Sequence, residues 1–123
     1  MADEITLSGL TIAFVKTASP SISVTVGSIT PDVAGTQYMD NVQNIGVTEE
    51  AILLGDVAPG GYWFVQNMDV TNFVQLRQAT GAAAFCKLLA GEWAIFRASV
   101  DMSAPFAIAD TGACNVRFLR FDL

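Results

Sequence analysis

Along this chain apolar residues recur at every second position in short bursts, and glycine, proline, asparagine and aspartate separate the bursts. That pattern predicts β-strands joined by tight turns. The first burst, EITLSGLTIAFVKT, carries Ile5 and Leu7, then Leu10, Ile12 and Phe14. Its phase changes at Gly9, as a β-bulge would cause. After Ser19-Pro20, the segment SISVTVGSI alternates Ile22, Val24 and Val26 with serine and threonine, which predicts a strand with one wet face. Residues 36–47 are less regular. Thr48 to Leu54 reads as a short helix capped by Thr48 or as a strand or turn, and the glycines at 46 and 55 with the strands around them favour the second reading.

From residue 60 the pattern is clearer. GGYWFVQ predicts a strand, NMDVTN a tight turn, and Phe73 to Gln78 the returning strand. ATGAAAFCKLLAGEWAIFRASV predicts strand, turn at Ala90-Gly91-Glu92, and strand, while PFAIAD and ACNVRFLRF form a last pair around Asp110-Thr111-Gly112. The expected fold class is all-β, an antiparallel β-sandwich or jelly roll of about eight to ten strands. With no linker or repeat in view, residues 1–123 are expected to form one domain. Residues 1–17 read as its first strand or as an extended N-terminal arm able to add a strand to a neighbour.

Several strands are apolar on both faces. Tyr62 and Phe64 point one way and Trp63 and Val65 the other. Ala94, Phe96, Ala98 and Val100 share a face opposite Trp93, Ile95, Arg97 and Ser99, and Cys114, Val116 and Phe118 lie opposite Arg117, Leu119 and Phe121. A sheet in a sandwich has only one inner face, so the other apolar set calls for a second chain. Tryptophan and arginine are the residue types enriched at interface centres, which makes Tyr62, Trp63, Trp93, Ile95, Arg97, Arg117, Arg120 and Phe121 the candidate interface residues. Tyr62, Trp63 and Trp93 also read as a stacking platform for sugar.

Composition sharpens this picture. Charged residues make up 15% of the chain and apolar residues 52%, against roughly 25% charged in an ordinary soluble domain. No apolar run is long enough for a spanning helix, and the acidic start MADEIT does not read as an export signal, so neither membrane insertion nor secretion is expected. The formal charge of −6 disfavours nucleic acid as a partner. It is also uneven. Residues 1–60 hold seven acids and one lysine, whereas residues 61–123 hold five acids and five bases. Arg97, Arg117 and Arg120 are therefore expected to meet acidic surface on a neighbouring subunit.

No catalytic or cofactor motif is present, and without histidine neither a serine nor a cysteine nucleophile has its usual base. Cys86 and Cys114 read as small buried hydrophobes. The adjacent pair Glu49 and Glu50 would face opposite sides of a strand, and Asp56, Asp69, Glu92, Asp101 and Asp110 fall in turns where acids satisfy backbone amides. The expectation is a protein that is not an enzyme and holds no cofactor and no metal.

The order of NIGVTEEAILLGDV, GYWFVQNMDVTNFVQL, an ATG turn and LLAGEWAIF before a final strand resembles the small β-sandwich decoration or cement proteins of tailed bacteriophages, over roughly residues 40–123. That resemblance implies a virion structural protein, a homotrimer that binds the major capsid protein or another virion protein and braces the shell. It also implies assembly in the host cytoplasm and carries over no catalytic residue. The alternative it leaves open is a receptor- or carbohydrate-binding module of a phage tail, fibre or baseplate.

Overall fold

The computed structural model describes residues 3–15, 17, 20–33, 37–57, 60–99, 102 and 105–121. All regular structure among them is β-strand, and all strand pairs are antiparallel. Val100 and Asp101 lie outside the described residues. The chain divides into two compact units, Met1–Ala34 and Gly35–Leu123.

The first unit is a ribbon. Strand β1 (Asp3–Glu4) pairs with β4 (Asp32–Val33), and β2 (Thr11–Phe14) with β3 (Ile22–Thr25), with a bridge from Leu7 to Ile29 between them. Asp3 opposite Val33, Leu7 opposite Ile29 and Thr11 opposite Thr25 belong to one unbroken register. The expected bulge at Gly9 is thus absent. No residue is inserted in either leg, and the phase change comes from Gly9 itself, whose φ of 76° turns the backbone in a way that other residues resist. The same register sets Gly9 against Gly27, so neither leg has a side chain at the point where the apolar face changes sides.

The second unit is built from β5 (Tyr38–Ile45), β6 (Glu50–Ala51), β7 (Gly61–Asn67), β8 (Val74–Arg77), β9 (Ala84–Leu88), β10 (Trp93–Ala98), β11 (Phe106–Ala109) and β12 (Cys114–Phe121). Its pairs are nested: β5 with β12, β6 with β11, β7 with β10, and β8 with β9. This is one long hairpin folded across itself. It gives a front sheet in the order β10-β7-β12-β5 and a back sheet in the order β6-β11-β8-β9, the double-sheet arrangement of a jelly roll. The turns at 68–73, 79–81, 90–92 and 110–112 fall where the sequence places them. Those at 68–73, 90–92 and 110–112 carry the chain from one sheet to the other, so the expected last pair around 110–112 does not form: β11 bonds β6 and β8, and β12 bonds β5 and β7. Glu50–Ala51 is a short strand instead of a helix.

Between the sheets, Ile45, Trp63, Val65, Val116 and Phe118 meet Val74, Leu76, Leu88, Ala107 and Ala109. Trp63 stacks on Phe96 at 5.8 Å between centroids and takes the edge of Phe118 at 6.2 Å. Among the described residues three buried polar side chains join this core, and each ties down irregular chain. Gln43 donates to Ala51 O (3.0 Å) and accepts from Leu53 N (2.9 Å), linking β5 to the segment after β6. Asn67 donates from Nδ2 to Asn72 O (2.8 Å) and Leu88 O (3.1 Å) and accepts from Asp69 N (3.0 Å), so it pins the β7–β8 and β9–β10 turns together. Arg120 donates to Leu54 O (2.9 Å) and Val57 O (3.1 Å), with its guanidinium 4.3 Å from the Trp63 ring.

Replacing Asn67 by leucine would leave buried carbonyls without a donor, and we expect a loss of about 2–3 kcal/mol in urea unfolding. Asn44→Ala removes an exposed bond to Asn115 (2.9 Å) and should cost less than about 0.5 kcal/mol. Equal stability of the two variants would show that the turns stand without Asn67.

Candidate functional site

Because alternate residues of a strand face opposite ways, β10, β7, β12 and β5 send a second set of side chains out of the front sheet. The register arranges them in rows. Trp93, Gln66, Arg117 and Val42 form one row; Ile95, Phe64, Leu119 and Asp40 the next; Arg97, Tyr62, Phe121 and Tyr38 the third. Seen from outside, the middle of the sheet is aromatic and aliphatic at Phe64, Leu119, Tyr62 and Phe121, with Gln66 and Arg117 at one end of its central strands and Arg97 and Asp40 on its edge strands. Tyr38 is 70% exposed, Val42 50%, Trp93 47% and Ile95 42%, while the residues of the two central strands are half-buried by their neighbours.

Ring contacts organise this face. Phe64 and Trp93 lie 6.0 Å apart, Tyr38 and Phe121 6.5 Å apart, and the Arg97 guanidinium sits 5.7 Å from the Tyr62 ring. Arg117 grips Asp40 with both ends of its fork, Nε to Oδ1 at 2.9 Å and Nη2 to Oδ2 at 2.7 Å. That hydrogen-bonded guanidinium holds the Asp40 carboxyl below its ordinary value and raises Arg117 in turn. The outer face of the back sheet differs, since Gln75, Arg77 and Lys87 lie among Ile108 and Phe106 there.

Six of the eight expected interface residues therefore share one surface: Tyr62, Trp93, Ile95, Arg97, Arg117 and Phe121. Trp63 and Arg120 are corrections. Both point between the sheets and are 1% and 0% exposed, because β7 and β12 place them on the same side as Val65 and Phe118. Neither is available to a second subunit or to a sugar. The sequence reading passed over Tyr38 and Val42, whose strand mixes Asp40 and Asn44 into the outward positions and so lacks an apolar alternation.

Glu49, Glu50 and Asp69 each hold groups of a turn. Glu49 accepts from Thr80 Oγ1 (2.6 Å), from Gly81 N (2.9 Å) and from Arg77, and these donors, Thr80 first, hold its carboxyl below its ordinary value. Glu50 accepts from Gly46 N (3.0 Å) and Gln43 Nε2 (3.2 Å). Asp69 accepts from the amides of Asn72 (2.5 Å) and Thr71 (2.9 Å), which lower it likewise. Each carboxylate serves as a turn fastener. Cys86 is half-buried and Cys114 buried, both are free thiols, and burial pushes both upward. Among the described residues no cluster of three or more cysteines and acids could hold a metal ion, and no helix is long and apolar enough to cross a membrane.

These shifts carry a pH dependence. Carboxyls lowered by folding stabilise the native state while ionised, so their contribution is complete above the unfolded carboxylate range and is lost as pH falls through it. With no histidine in the chain, the urea midpoint should be level from about pH 8 to about 5 and fall below roughly 4.5. Glu49→Gln should lower the midpoint at neutral pH and flatten the acid limb. A midpoint that stays level down to about pH 3 would count against these fasteners.

No family model, no curated protein and no solved structure matches the chain.

Proposed function

We propose that this chain is a non-enzymatic structural protein of a tailed-bacteriophage virion, a capsid decoration or cement subunit. In this reading it assembles as a homotrimer in the host cytoplasm and binds the major capsid protein or another virion protein. The observation that carries the reading is the outer face of the front sheet. A jelly roll that already owns a packed core has no structural need for Trp93, Ile95, Phe64, Leu119, Tyr62 and Phe121 on its outside, and such a surface gains most from burial against protein. A standard interface buries on the order of 1,600 Å² in total, and bracing a shell requires several of them and no chemistry. The low charge, the locally satisfied Glu49, Glu50 and Asp69 and the resemblance of residues 40–123 support the same reading.

One observation keeps a second reading in view: Trp93 and Tyr38 are exposed rings able to stack on sugar, as a receptor- or carbohydrate-binding module of a tail or fibre would need. Light scattering across a dilution series separates the two. The structural reading expects a mass about three times the 13.1 kDa of one chain, with Trp93→Ala weakening association at least tenfold. It also expects saturable binding to undecorated shells, weakened by Arg97→Ala more at low salt than at high salt. A monomer whose glycan binding vanishes in Trp93→Ala would establish the second reading instead. Trp63→Ala should act on folding, costing about 3–5 kcal/mol.

A further inference from the structure

The ribbon of the first unit presents a second uncovered apolar surface. Leu10, Ile12, Ile22, Val24 and Val26 are 37–59% exposed. They share one side, since Ile12 lies opposite Val24, Val26 N bonds Leu10 O (2.9 Å), and the remaining positions alternate from these. Thr11, Ser23 and Thr25 occupy the other side, and all four residues of β3 are exposed. A two-stranded ribbon is marginal by itself in water. Its fold calls for a covering surface.

We propose that the ribbon of one copy lays this apolar side on the outer face of the front sheet of a second copy. The proposal rests on the self-association described above and names what covers the face. Three observations favour a second copy as the occupant. Both apolar surfaces belong to the same chain, so every copy offers one of each. The apolar side runs from residue 10 to residue 14, about 13 Å at roughly 3.3 Å per residue, close to the roughly 14 Å across four strands spaced about 4.8 Å apart. The charges also match: residues 1–34 hold Asp3, Glu4 and Asp32 against Lys16, net −2, whereas the outer face carries Arg97 and Arg117 against Asp40, net +1. Such a contact joins two different surfaces, the kind that builds a ring where its rotation closes.

A mixing experiment tests it. Val24→Glu disables the ribbon and Ile95→Glu disables the sheet face, while each variant keeps the other surface intact. Wild type should be oligomeric, and each variant alone should associate at least about 100-fold more weakly and run as a monomer. An equal mixture should form dimers of one copy of each, because a single intact ribbon meets a single intact face. Val24→Glu with the wild-type mass would overturn the proposal and leave self-association standing. Two monomeric variants that stay monomeric when mixed would overturn it as well, because a ribbon-to-face contact must form between the one intact ribbon and the one intact face. A monomeric wild type would remove both the proposal and the self-association beneath it, whereas an intact oligomer that ignores undecorated shells would remove only the virion reading. Circular dichroism checks that each variant is folded, and Val24→Ser, which adds no charge, replaces Val24→Glu if that variant does not fold.

Discussion

The jelly roll depends on the register of its two central front strands, and hydrophobicity alone does not decide it. In most half-buried strands a slip by one residue turns the apolar set to water, and that cost fixes the pairing. In β7 a slip would exchange Trp63 and Val65 for Tyr62 and Phe64, with nearly the same apolar area buried. What separates the two arrangements is Asn67, which finds the Asn72 and Leu88 carbonyls only when it faces inward. Arg120 acts in the same way on β12, since its guanidinium meets the Leu54 and Val57 carbonyls and the Trp63 ring from the inner side alone. A buried polar group that contributes little net stability can still specify one arrangement, because every alternative leaves it unpaired.

The same doubly apolar strands that make register a matter of polar contacts leave the outer face uncovered. Strands built for one domain would carry threonine, lysine or glutamate at positions 62, 64, 95 and 119 and would gain solubility without loss of core. Here those positions hold Tyr62, Phe64, Ile95 and Leu119, and the charges retreat to Arg97 and the Arg117–Asp40 pair. Fold specification and surface chemistry are thus two consequences of one sequence choice. The polar fasteners Gln43, Asn67 and Arg120 hold the turns that carry this sheet, so the face is presented on a rigid support.

The sequence shows most of this and hides a defined part. Period-two alternation and turn residues locate the strands from β7 onward, because NMDVTN, AGE and DTG are short and chemically distinct. The pairing order is not visible, since nested pairs such as β5 with β12 join residues far apart that carry no mutual signal. Alternation also separates the two faces of β10 and β12 correctly. It does not say which face is inner when both are apolar, and for that reason the residue types of Trp63 and Arg120 suggest an interface where burial gives a core. At Gly9 the phase change is legible, but a bulge and a turned glycine give the same pattern in one strand. Only the partner strand, with Gly27 opposite, distinguishes them.

A chain with two exposed apolar surfaces faces the hazard of indiscriminate association, and its charges answer part of it. The net charge of −6 repels free copies at long range. Residues 1–34 carry net −2 and the outer face of the front sheet net +1, so the repulsion is weakest in the orientation that brings the first to the second. Contacts between two identical faces oppose surfaces of net +1, and contacts between two ribbons oppose segments of net −2. Only the unlike pairing relieves both. Apolar area supplies the strength of such a contact without choosing its geometry, and a few charges on the two surfaces make that choice.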